Sequence, residues 1–164
     1  MPVGKHRAGH DPARISHRLQ LARLGAAHLL LRAGGVDWAI PASSVRCLLK
    51  NPAIEGGALR VAGTPLAAPP LAEILGLQER PGPKTAVVLT AGLEQELAAV
   101  LVESVAGVVE VIAADVGGRR SPKVRALYPK VWGIWQGRAR PVLLLDPDAL
   151  TIRPQSAHTP ACPR

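Results

Sequence analysis

Residues 28–40 read HLLLRAGGVDWAI, and Pro41 follows. His28–Arg32 is a short apolar run. Val36–Ile40 alternates apolar and polar residues, as a half-buried strand does. Between them, Ala33-Gly34-Gly35 supplies a tight turn, because two adjacent glycines take positive φ without a Cβ penalty. Pro41 ends the second strand. The stretch therefore predicts a β-hairpin, and the same reading repeats along the chain. Val45–Leu49 is another apolar stretch. Gly57–Val61 and Pro65–Ala68 flank Gly63 as a second hairpin. Thr85–Leu89 and Glu96–Val102 are joined through Gly92, and Val105–Val111 comes next. Val131–Trp135 and Arg140–Leu145 form a last hairpin turning at Gln136-Gly137. About nine or ten short strands separated by turn signals predict an all-β barrel or sandwich.

Helical signals are few. Pro70 suits the first turn of a helix, where its missing N–H costs nothing, so residues 70–77 (PLAEILGL) predict a short helix closed by Gly76. Asp146 and Asp148 cap a short helical end. Residues 78–84 (QERPGPK) read as a linker and 113–123 (AADVGGRRSPK) as a loop. The chain divides into two similar halves, each with a hairpin, a crossing segment, another hairpin and a short helix. The halves share too little identity to be a repeat.

The 164 residues are 48% hydrophobic, with no Phe, one Tyr and three Trp. Such a core must be aliphatic. No apolar run reaches the roughly 18–20 residues that cross a bilayer. The N-terminus has no apolar segment with a small-residue cleavage site. The expectation is a cytoplasmic protein without membrane insertion. Cys47 and Cys162 do not make a disulfide framework and read as two unrelated thiols.

The net charge of +8 is uneven. Residues 1–32 carry six Lys/Arg against Asp11. Residues 33–116 carry five against nine acids, a net of −4, and residues 117–140 carry seven and no acid. An arm and one loop-rich segment therefore hold the positive charge, and such patches attract polyanions or acidic protein surfaces. The expected organisation is a basic, partly disordered arm over 1–27, a folded domain over 28–152 and a disordered tail over 153–164. A short basic amphipathic helix over 17–27 is expected within the arm.

Catalytic chemistry is missing from the pattern. There is no phosphate-binding glycine loop and no GxSxG elbow. Four of five His precede residue 29 and the fifth is in the tail. His6, His10 and His17 read as a solvated basic arm, since a metal site needs ordered backbone and further ligands. Glu94, Glu96, Glu103 and Glu110 read as solvent faces. The expectation is a binding module with no catalytic residue, no metal site and no cofactor.

The strand order, with the residues that fill it, resembles the CheW family of chemotaxis coupling proteins over residues 28–150. In LLLRAGGVDWAIPASSVRCLL, Ile40, Pro41 and Val45 match the family's opening. Gly57, Gly63, Leu66, Leu71, Leu75, Gly76 and Leu77 fit its second hairpin and helix. Val102, Glu103, Val105 and Val108 match its V-D-x-V-x-x-V run, and VWGIWQGRARPVLLLDPDAL resembles its ending. The resemblance implies two interlocked five-stranded SH3-like β-barrels with short helices. It implies a non-catalytic adaptor that bridges a methyl-accepting chemoreceptor tip and a CheA-type histidine kinase or another CheW-like protein. The receptor helix would lie in an apolar groove at Val45, Ala62, Gly63, Ala99, Val102 and Val105.

Three departures stand out. Pro69, Pro70 and Leu71 stand where the family has V-D-L. Ala62 stands where the family's N-L-R-G has Arg, which removes a forked donor able to hold a carboxylate. The segment between Val45 and Gly57 is shorter than in typical members, which removes docking area from the barrel that contributes the kinase face. The expectation is an accessory adaptor, similar to FrzB, that keeps receptor docking and binds the kinase weakly. The competing reading is a basic β-barrel that binds nucleic acid. It lacks aromatic stacking platforms, because Trp132 and Trp135, three apart, are expected on opposite faces of their strand.

Overall fold

The computed structural model describes residues 27–92, 94–117, 122–127 and 130–150. The amphipathic helix expected over 17–27, most of the arm and the tail lie outside these residues. The opening hairpin forms as its sequence dictates. Strand β1 (Ala27–Ala33) pairs with β2 (Val36–Pro41) from Ala33↔Val36 to His28↔Pro41. The turn is Gly34-Gly35, with φ of 60° and 73°, the left-handed pair that a two-residue hairpin needs. Arg32 donates to the Gly35 carbonyl at 3.1 Å, and Trp38 Nε1 donates to the Ala33 carbonyl at 3.0 Å.

The remaining described strands follow in order. They are β3 (Val45–Lys50), β4 (Ala58–Val61), β5 (Thr64–Ala67), β6 (Thr85–Ala91), β7 (Glu96–Val102), β8 (Ser104–Glu110), β9 (Val116–Gly117), β10 (Val131–Trp135) and β11 (Val142–Leu145). Short helices span Leu71–Ile74 and Pro122–Ala126. Hydrogen bonding orders three sheets: β8-β1-β2-β11-β10-β9, β3-β6-β7, and β4-β5.

Three apolar clusters show how the sheets curl. Leu59, Ala86, Val88 and Ala99 fill one, with Cys47, Leu49 and Leu66 packed against it. Those residues come from β3 to β7, so these five strands enclose a first barrel. Leu30, Ala39, Trp135, Val142 and Leu144 fill another, with Val109, Val116 and Trp132 against it. They come from β1, β2 and β8 to β11, the strands of the six-stranded sheet, which enclose a second barrel. The largest cluster joins the two and includes Leu29, Leu31, Trp38, Ile40, Val87, Leu89, Val100, Val102 and Leu145. Leu71, Ala72 and Leu75 of the first helical segment seal it.

This shared core corrects two expectations. Val36–Ile40 is not a half-buried strand. Trp38 and Ile40 face the shared core while Ala39 faces the second barrel's interior, and all three are buried. A strand covered on both faces tolerates no polar face, so unbroken apolar runs such as LLL and AVVL are expected from its position. Nor does the chain divide into successive halves. The first hairpin belongs to the second barrel: β1 pairs with β8 and β2 runs parallel to β11, through Leu143↔Trp38 and Leu144↔Ala39. The barrels are interlocked because β3–β7 is inserted between two parts of one sheet.

Two local readings also change. The loop expected over 113–123 holds β9 and the start of the Pro122 helix, because Val116 pairs with Trp135 and packs on the second interior. Trp132 and Trp135 pack against the same cluster rather than opposite ones. The pairing of β10 with β11 shifts register between Val131 and Gly133, and such a bulge breaks the alternation of faces.

Candidate functional site

The seam between the barrels is a covalent one. Strand β7 of the first barrel passes through Glu103 directly into β8 of the second. The Glu103 amide donates to the Arg32 carbonyl at 2.9 Å, and its carboxylate accepts from the Gly35 amide at 3.3 Å. Expected as a solvent-face residue, Glu103 is half-buried and holds the opening turn against the crossing strand. Nothing in its local pattern signals this, since the partner is a glycine 68 residues away.

The six residues expected to line a groove fall into three places. Val45, Val102 and Val105 come together at the shared core. Val102 is 1% exposed and lies within that core, whereas Val45 and Val105 are half-buried and reach the surface. Ala99 points the other way, into the first barrel, at 3% exposure. Ala62 and Gly63 are exposed at the β4–β5 turn, with φ of 48° and 83°. Ala62 thus holds a left-handed conformation that L-residues other than Asn and Asp rarely adopt.

The surface beside Val105 is the apolar feature that pattern reading missed. Among the described strands β8 is the outer one of its sheet, paired only with β1. Its residues Ala106, Gly107 and Val108 are exposed, Val108 by 62%, and Ile112 just beyond is exposed by 54%. The pairing shifts register between Leu30 and Leu31, and Gly107 has a φ of 138°. The bulge turns this edge away from straight pairing, which guards it against adding another strand, and leaves an apolar ridge suited to a packed side-chain surface. The edge strand's identity depends on topology, so alternation within VAGVV could not reveal it.

Asp146 caps the helical end as expected, its Oδ1 accepting from the Asp148 amide at 3.1 Å, whereas Asp148 lies inside the short helix Pro147–Leu150 rather than capping it. Asp148 Oδ1 also accepts from the Gly92 amide at 2.8 Å, tying the β6–β7 turn to the C-terminal end. Among the described residues no group of His, Cys, Asp and Glu is placed to hold a metal ion. No described helix is long and apolar enough to cross a membrane. The three tryptophans are buried or half-buried, with Trp38 at 0% and Trp135 at 6% exposure, so their faces serve packing.

Comparison with known proteins bears on this arrangement. The model of the CheW-like domain family matches residues 21–154. No curated protein sequence matches the chain. Among solved structures, the scaffolding protein TtCheW from Thermoanaerobacter tengcongensis superposes with a TM-score of 0.64 at 13% identity, covering 75% of this chain and 90% of that one.

Proposed function

The chain belongs to the CheW-like domain family, and from that premise we propose that it is a non-catalytic adaptor of a chemosensory pathway that docks the cytoplasmic tip of a methyl-accepting chemoreceptor. The observation that carries this reading is the apolar surface at the seam: half-buried Val45 and Val105, which both pack on the shared core, and exposed Ala106, Gly107 and Val108, which continue β8 from Val105. A receptor tip offers helices. A helix lays its apolar stripe into such a surface, and small residues let the backbones approach.

Val108 is the test position. Its side chain is 62% exposed, so Val108→Asp should leave the thermal midpoint within about 3 °C of the parent. Affinity for a receptor-tip fragment should fall at least about tenfold, the cost of a charge in an apolar contact. Undiminished binding by a folded Val108→Asp protein would sink the reading.

The same proposal holds that kinase coupling is weak. Ala62 offers no donor at the exposed turn where a family member presents Arg, and the chain leaves β3 at Lys50 and re-enters at Ala58 after a short connection. Adaptors of this kind are accessory, similar to FrzB, and act beside a principal CheW-like protein. Calorimetric titration against a CheA regulatory domain should give no submicromolar binding. A tight complex would reject the accessory role and leave receptor docking untouched.

A further inference from the structure

A second surface lies on the first barrel, away from the seam. Among the described strands β3 pairs with β6 alone and β4 with β5 alone, Ala58 of β4 also bridging Glu55. Between the free edges of β3 and β4 runs an open groove of about 480 Å³, within the size range of binding clefts. Its floor is apolar: Leu48, Leu49, Ala53, Ala58 and Leu59 line it. Leu48 is 41% exposed, an unusual position for a leucine on a small barrel with a full aliphatic core. The chain leaves the end of β3 through Asn51 in a left-handed conformation, φ 46°, with its amide donating to the Lys84 carbonyl at 2.9 Å. That turn carries residues 52–57 out of the ladder, so the connection does not close the barrel.

The rim is basic. β3 alternates, with Arg46, Leu48 and Lys50 exposed and Cys47 and Leu49 turned inward. Arg60 is exposed on β4, and Lys50 and Arg60 both line the groove, against Glu55 as the only acid among its described lining residues. Cations on an edge strand ordinarily prevent edge-to-edge association. Here they select. Antiparallel pairing of β3 with β3 of a second copy, centred on Leu48, would set Arg46 opposite Lys50, and like charges directly opposite are destabilising. An acidic strand meets the reverse situation.

We propose that the open β3–β4 groove of the first barrel is a docking site for an extended acidic, apolar segment of a partner protein, which adds as a strand against a free edge and sets its apolar side chains on Leu48. Main-chain hydrogen bonds supply affinity and alternate side chains supply specificity, as in other strand additions. The site shares none of its lining residues with the receptor ridge, which lies mainly on β8 and reaches β3 only at Val45.

The probe is a fluorescein-labelled Glu-Val-Val-Val-Glu peptide, the length of an ordinary strand, titrated by anisotropy against the full chain; its outer Glu residues fall on the face of Arg46 and Lys50 and its central Val on Leu48. It should bind, and the Val/Lys counterpart should not. Two further versions, N-methylated on one or the other set of alternate amides, separate strand addition from charge attraction: one of them should lose binding at least tenfold. Leu48→Asp and Arg60→Glu should each weaken the Val/Glu peptide by tenfold or more while leaving receptor-tip binding unchanged. Both positions are exposed on the barrel, so circular dichroism should show the parent fold, and Arg60→Glu carries the test should Leu48→Asp fail to fold. Equal binding of the Val/Lys peptide, full binding of both N-methylated versions, or no binding of the Val/Glu peptide would each overturn the proposal.

Discussion

Trp38→Ala is expected to destabilise the protein by about 3–5 kcal/mol, the range for removing a buried Trp. Trp38 is 0% exposed and stands in the core that both barrels share. It does two things there. Its ring fills space between the first hairpin and the first barrel's strands, so its loss opens a cavity that β-strands pinned on both faces cannot close. Its Nε1 also donates to the Ala33 carbonyl at 3.0 Å, and that carbonyl belongs to a residue 1% exposed. Removing the donor leaves a buried acceptor unpaired, worth about 1–3 kcal/mol of the total. Trp38→Phe separates the two effects: it keeps most of the volume and loses the hydrogen bond, so it should cost less than half as much as Trp38→Ala. Native domains are stable by only about 5–15 kcal/mol, so the alanine variant should melt many degrees lower in a thermal scan followed by circular dichroism. A loss below about 1 kcal/mol would mean that the shared core does not hold the barrels together.

The second large effect is expected at the opening turn. Gly34 has φ 60°, and a Cβ built there would lie 2.7 Å from the Leu77 Cβ and 2.9 Å from its Cδ1. The nearer atom is fixed to the backbone of the segment that seals the shared core, so it cannot swing aside as a chain end can. Gly34→Ala should therefore cost about 1–2 kcal/mol for the left-handed conformation and about 1–3 kcal/mol more for the clash. Gly63→Ala is the control. Gly63 has φ 83°, but a Cβ there meets nothing within 4 Å, so only the conformational part should appear. Denaturant melts of the two variants, compared with the parent, measure the difference. Equal losses at the two positions would show that Leu77 does not pin the turn.

The candidate site was legible in part. Val45, Val102 and Val105 gather at the shared core, because they lie in or beside strands whose order the turn signals mark. Their roles were not legible. Val102 and Val105 both lie in the run from Glu96 to Val111, yet one is buried in the core and the other half-buried at its edge. The difference comes from the change of barrel at Glu103, which has no local signature. Val108 and Leu48 looked like ordinary strand residues. They are exposed because β8 and β3 are edges, and whether a strand has one neighbour or two is a property of the whole sheet.

By itself the sequence determined where most of the strands lie, β9 excepted. Glycine pairs, prolines and apolar runs act within a few residues, through φ preferences and the pleat, so Gly34-Gly35, Pro41 and the paired runs before and after Gly92 could be read directly. Only the tertiary structure decided that the first hairpin joins the last one, with β2 parallel to β11, and that the central strands are buried on both sides. A pairing between residues a hundred positions apart is selected by how two surfaces fill space together. That energy has no period along the chain, so it appears only when the barrels close around a common core.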